Sequence, residues 1–199
     1  MKESKDEYDR ESNDHDSDHS EEHSDDHSGS QTDRELESEF DEENDKNLND
    51  NWVLWFHNPQ DTNWTVDSYK KLKYIRTIKH FWEAYSFLNK FIVENSMLFL
   101  MRDGIDPIWE DERNRNGGAW SFKYQKGDLK TTWENFSIYL LAEKLVSVEN
   151  HDIINGISIS PKKNFCIIKI WNSDKNKNDL KLLTKVNDLN YEGGIYKSY

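Results

Sequence analysis

The stretch DGIDPIWEDERNRNGGAW, residues 103–120, has neither the three-and-four spacing of a helix nor the alternation of a strand. Asp106-Pro107 biases the backbone toward extended or turn geometry, and Gly117-Gly118 supplies a second turn signal. Between them stands Trp109, followed at once by Glu110, Asp111 and Glu112. A large aromatic side chain in a loop, beside a carboxylate, has no core stripe to join and is suited to holding a ligand. What flanks this loop decides the fold. SMLFLMR (96–102), which runs into it, and WSFKYQKG (120–127) after it, which alternates well and ends at Gly127, both read as strands.

Further out, NWVLWFH (51–57) reads as a strand ending in the turn NPQD, and the loop that follows carries a second isolated tryptophan, Trp64. SYKKLKYIRTI (68–78) predicts another strand. Thr77 then offers an N-cap for a helix through about Asn89, with Phe81, Ala84, Tyr85, Leu88, Phe91 and Ile92 as its core stripe. Trp82 falls off that stripe, over Ile78 one turn earlier, so it is expected at the surface. Asp128 or Thr131 can cap a helix over WENFSIYLLAEKLV (133–146). NGISIS and FCIIKIW form an antiparallel hairpin, DLKLLTKVNDL (179–189) a short amphipathic helix, and GGIYKSY a last strand. Strands interleaved with single helices predict an α+β fold: an antiparallel sheet with helices on one face. Trp52, Trp55, Trp120 and Trp133 are assigned to core and sheet faces.

Charge divides the chain in two. Residues 1–50 hold 21 Asp/Glu against 5 Lys/Arg, leaving 18 acids and 21 bases of the chain's 39 and 26 for the remainder, which is therefore mildly basic. Residues 1–48 have almost nothing apolar beyond Leu36, Phe40 and Leu48, too little buried surface to offset the entropy of ordering; an acidic, Ser/His/Asp-rich disordered tail is expected, followed by one domain over 49–199. His15, His19, His23 and His27 recur at a four-residue step, which aligns imidazoles only on a helix; Ser, Asp and His are poor helix formers, so they read as part of a solvated acidic repeat. The single cysteine, Cys166, excludes an intrachain disulfide and reads as a small buried hydrophobe. No apolar run approaches the roughly 18 residues of a membrane span and no export signal is visible, so a cytoplasmic setting, with access to the nucleus, is expected.

If the loops of Trp64 and Trp109 lie side by side, two indole faces can sandwich a flat ring, and a cationic ring adds a cation–π attraction of up to about 2 kcal/mol when desolvated. Glu110 can accept two N–H donors from one edge of that ring. Guanine presents such a pair, N1–H beside its exocyclic amine, and methylation at N7 makes it cationic.

The same residues resemble a known family. WVLWF, Trp64, HFW (80–82), DGIDPIWEDERNRNGG with Trp120, and IKIW ending at Trp171 are similar to the cap-binding translation initiation factor 4E family, over about Asn49 to Tyr199. The resemblance implies a curved sheet with about three helices on its convex face and binding of the 7-methylguanosine cap of mRNA, without catalysis, cofactor or metal. It implies that Trp64 and Trp109 stack on the base, Glu110 reads its edge, and Trp171 forms a wall near the methyl group. Trp82 and Ile78 would receive a helical 4E-binding segment of a scaffold or repressor, near Glu134 and Asn135. A monomer with no membrane association is expected.

Two departures bear on the phosphates. Ala119 stands where members usually carry a basic residue after Gly-Gly, and Ile167 where a lysine is common; Lys162 matches a frequent phosphate-binding arginine. Strand alternation puts Ile167, Lys169 and Trp171 on one face, so Lys169 can replace the missing lysine, with Lys163 as a further candidate. Trp133-Glu134-Asn135 resembles the 4E-homologous repressor branch, which leaves an initiation factor, a cap-binding repressor and a protein-binding scaffold of weakened cap affinity all open. A metal-dependent hydrolase built on Glu110, Asp111 and Glu112 is disfavoured, since successive loop residues point apart and His57, His80 and His151 are scattered.

Overall fold

The computed structural model describes residues 45–186 and 188–199. The acidic tail through residue 44, with its histidine repeat, lies outside them. The described chain forms seven strands and three α-helices: β1 (Asn47–His57), β2 (Lys70–Thr77), α1 (Ile78–Ser86), α2 (Lys90–Asn95), β3 (Met97–Arg102), β4 (Gly118–Gln125), α3 (Leu129–Leu141), β5 (Ile154–Pro161), β6 (Phe165–Asn172) and β7 (Ile195–Ser198). One antiparallel sheet takes the order β2-β1-β3-β5-β6-β4-β7.

Alternation along each strand sorts residues onto two faces. Trp52 and Leu54 of β1, Leu98 and Leu100 of β3, Trp120 and Phe122 of β4, and Cys166, Ile168 and Ile170 of β6 pack with the helices in one large core. The intervening residues Val53, Trp55, Phe99, Met101 and Trp171 gather with Tyr69 and Ile105 in a smaller cluster on the helix-free face. Trp52, Trp120 and Trp133 are fully enclosed and Trp55 nearly so, as their sequence positions predict.

Thr77 caps α1, its hydroxyl accepting the His80 N–H at 3.1 Å. The expected single helix is two. α1 stops at Ser86, and Asn89 starts α2 by accepting the Ile92 N–H at 3.0 Å, since an Asn side chain competes well for a helix-start N–H. The break turns Phe91 out to solvent, 74% exposed, so it does not join the core stripe; Leu88 does. The next helix begins at Leu129, four residues before the expected Trp133, and ends at Leu141, where Glu143 takes a positive φ of 57° that an uninterrupted helix does not allow. Asp128 precedes it without a side-chain cap bond. The amphipathic helix expected over 179–189 is not formed. Leu180–Leu182 makes one 3-10 turn, after which Leu183 bridges Val146 and Thr184 N–H donates to the Leu145 carbonyl, drawing the backbone out of helical geometry.

α3 binds to the sheet through Phe136, which meets Phe122, Tyr124 and Tyr191 at centroid distances of 6.4, 5.8 and 6.2 Å. Phe136→Ala is expected to lower the unfolding free energy by about 3–5 kcal/mol, read from the urea midpoint; a loss below about 1 kcal/mol would mean that this aromatic cluster does not hold the helix.

Candidate functional site

On the helix-free face lies a cavity of about 370 Å³. Its floor includes Met97 and Phe99 of β3, and its walls come from four further parts of the chain. The β1–β2 loop brings Trp64, the 103–117 loop brings Trp109 and Glu110, β5 and β6 bring Ser158, Ser160, Lys169 and Trp171, and Tyr199 follows β7. Trp64 and Trp109 are 52% and 56% exposed, so neither is enclosed in the core.

The 103–117 loop is held in shape by hydrogen bonds from its own polar side chains. Gly104 makes the first turn at φ +82°, open to glycine at no cost. Asp111 accepts the N–H groups of Asp106 and Arg113 at 3.0 and 2.8 Å, so its carboxylate is taken up in shaping the turn. Asn114, fully buried, donates to the carbonyls of Asp106 and Ile108 at 2.9 and 2.7 Å and accepts from Asn155 on β5 at 2.9 Å. At the far end Gly117 lies so close to the Asn172 carbonyl that a Cβ would come within 1.8 Å of its oxygen. Glu112 pairs loosely with Arg115 at 3.7 Å. Of the three consecutive acids only Glu110 is left facing the cavity, and among the described residues no trio of His, Cys, Asp or Glu is gathered for a metal.

Glu110 is felt across the cavity by Tyr69, whose hydroxyl is pushed up to about 12, first by burial and then by that carboxylate. Trp171 is 6% exposed and its indole N–H donates to Ser158 Oγ at 2.9 Å, so toward the cavity it offers carbon alone. Lys169 lines the cavity beside Ser158, its partner in the β5–β6 register. Burial holds its ammonium below the usual lysine range, and the neighbouring cations Lys197 and Lys162 push the same way. Lys162 and Lys163 sit exposed at the β5–β6 turn, outside the cavity lining.

Sequence reasoning missed Tyr69, Tyr199 and Lys197. The signal for Lys197 lies in the register: it pairs with Ala119, so a cation stands one strand over from the alanine. Tyr199 meets Trp171 at 5.3 Å and its N–H donates to the Gly117 carbonyl, a contact invisible without β7 placed beside β4.

A second cavity, about 360 Å³, opens on the helical side between Leu48 of β1, Ile78 and Trp82 of α1, and Ile138 and Leu141 of α3. Trp82 is 49% exposed, as its off-stripe position predicts. Glu134 and Asn135 lie on α3 outside this lining, and Glu134 pairs with Lys130 at 3.5 Å.

Comparison with known proteins agrees with this geometry. Residues 47–192 match the family model described as eukaryotic initiation factor 4E. The chain belongs to that family. Translation initiation factor 4E of Candida albicans is 30% identical over 160 residues, covering 73% of this chain and 75% of the relative. The initiation factor NCBP of Triticum aestivum is 32% identical over 108 residues, covering 53% of this chain and 45% of the relative, so the chain spans about half the length of that plant factor. Among solved structures, the C. elegans eIF4E-3 complex with the 4E-binding protein Mextli and a cap analogue shares the fold with a TM-score of 0.62 and 24% identity, over 69% of this chain and 80% of that one. Ascaris suum eIF4E-3 with an m7G cap follows at 0.61 and 24%, over 69% and 79%. As a 4E-family member this chain carries the family's open antiparallel sheet, and no helix among its described residues is long and apolar enough to cross a membrane.

Asn114→Ala removes two donors to loop carbonyls and leaves Asn155 half-paired. It is expected to cost about 2–4 kcal/mol and to expose Arg113 and Arg115 to trypsin in limited digestion; an unchanged cleavage pattern would show the loop held by other means.

Proposed function

We propose that this protein binds the 7-methylguanosine cap of mRNA in translation initiation, by recognition and without catalysis, in the cytoplasm. The observation that carries the reading is the convergence on one cavity of the helix-free face of Trp64, Trp109 and Glu110, which has no ion-pair partner among the described residues. Two indole faces stack on the base, and the positive charge of a methylated guanine is drawn to both π-systems. Glu110 accepts N1–H and the exocyclic amine in a charge-assisted pair, which adenine and the pyrimidines do not offer. Trp171, its N–H engaged by Ser158, closes the pocket beside the methyl group. Lys169 neutralises phosphate at the mouth, assisted by Lys162 and by Lys197, which supplies from β7 the charge that Ala119 lacks. Lys163 is the outlying member of this basic group.

Tryptophan fluorescence titration with 7-methyl-GTP and GTP tests this directly. Wild type is expected to quench strongly with the methylated nucleotide only, and Glu110→Ala to bind it at least tenfold more weakly, since a charge-assisted bond is worth about 1.5–3 kcal/mol. Equal, weak responses to both nucleotides would refute cap binding.

The apolar cavity on the helical side supports a second contact, with a helical segment of a partner lying along Trp82, Ile78 and Leu48 in groove-docking mode. The partner named for the C. elegans relative, a 4E-binding protein, is of the kind this groove would receive. Trp82→Ala is expected to abolish binding of a helical 4E-binding peptide in calorimetry while leaving 7-methyl-GTP quenching intact. Loss of both would point to a folding defect, and retention of the peptide would place its site elsewhere.

A further inference from the structure

Behind Trp64 lies a buried imidazole that the cap-binding reading leaves without a role. His57 ends β1 in the alternation set of Val53 and Trp55, and it is fully enclosed. Its ring lies 4.5 Å from that of Trp64 with 12° between the planes, a face-to-face stack. Tyr69, itself a wall of the cavity, meets His57 at 4.5 Å and 46°, and Tyr69 in turn edges onto Phe99 at 5.3 Å. Trp64 is therefore the outermost plate of a series of rings rooted in β3.

The backbone is tied at the same point. His57 Nε2 lies 2.8 Å from the Asn63 carbonyl, one residue before Trp64, and Ser68 Oγ donates to that same oxygen at 2.8 Å. A carbonyl oxygen only accepts, so Nε2 is the nitrogen that carries the proton. The Asn63 side chain accepts the N–H of Thr65 at 3.0 Å, so the residues on both sides of Trp64 are fixed. His57 Nδ1 is buried with no partner among the described residues, so the hydrogen bonds of the ring do not by themselves explain an imidazole here. Trp109 differs: among the described residues it has no ring behind it.

We propose that His57 is a positioning residue for the cap base. Acting through Trp64, it presets the indole from its hidden face, so that the base meets a formed platform and does not have to order a loose one. The proposal rests on the cap-binding reading of this cavity. Two parts of the imidazole act separately: the ring stacks on Trp64, and Nε2–H holds the peptide that leads into it. The ring is the part that faces the indole and sets its plane, so it carries the larger share.

The test compares full-length wild type with His57→Phe, His57→Asn and His57→Ala, titrated with 7-methyl-GTP and with GTP. Phe keeps a ring and drops the donor; Asn keeps a donor and drops the ring. Wild type is expected to prefer 7-methyl-GTP, and His57→Phe to stay within about threefold of its affinity. His57→Asn and His57→Ala are expected to lose about tenfold toward 7-methyl-GTP and less toward GTP, so that selectivity falls. Thermal midpoint and affinity for a helical 4E-binding peptide report on folding and are expected to hold in the Phe and Asn variants. Retained affinity in His57→Asn with loss in His57→Phe would overturn the role of the ring, as would equal losses toward both nucleotides and the peptide. If wild type itself does not distinguish the nucleotides, the cap reading fails; if it does and His57→Ala matches it, the positioning role alone fails.

Discussion

Strand periodicity is the constraint on which this molecule depends. Trp52 and Trp55 are three residues apart on β1, so one faces the helices and the other the opposite side. The same division runs through β3 and β6, where Leu100 and Ile170 enter the main core while Met101 and Trp171 enter the smaller cluster. A slip of one residue in any pairing would exchange these sets, placing Lys169 under the helices and Ile168 in the cavity. Register therefore specifies the core and the site at once, and α1 and α3 contribute to the site mainly by making the wrong register expensive.

The cavity is built on that frame by two loops with different means of support. The 103–117 loop is internally hydrogen-bonded around Asn114 and Asp111, with Asn155 joining it to β5. The loop of Trp64 is held by ring stacking and by the Asn63 carbonyl. Both leave the indoles half exposed while their backbones are fixed, so the surface that a ligand meets is apolar yet already ordered. Charge is arranged in the same spirit: Glu110 has no ion-pair partner among the described residues, and Lys169 shares its region with Lys162 and Lys197 and no paired acid.

Much of this was legible in the sequence, for identifiable reasons. Strands β1, β3, β4, β5 and β6 announced themselves because their apolar residues are bounded by turn signals; Trp64, Trp109 and Trp82 stood out because each breaks a periodic pattern. Glu110 was separable from Asp111 and Glu112 only in part, since the role of Asp111 as a backbone acceptor needs the folded turn. The helix break at Asn89 was hidden because Phe91 and Ile92 continue the helical spacing by coincidence, and the Asn cap prevailed over it. The segment 179–189 misled for the opposite reason: it has helical spacing, but its leucines pack where a bridge to Val146 leaves the backbone extended. Tyr199 reaches the cavity, and Lys197 comes beside Ala119, through the pairing of β7 with the distant β4, while Tyr69 enters the cavity by the fold of the β1–β2 connection; no local pattern encodes these placements.

Among the described residues the open sheet ends in two edge strands, and such an edge is a row of backbone groups on which another chain can build. One is β2, with the sequence KKLKYIRT; the other is β7, four residues long. Four of the eight β2 residues are cations, so a second copy laid against this edge would set lysine against lysine. Charge at the β2 edge thus opposes self-association there, and favours an acidic neighbour over a copy of itself.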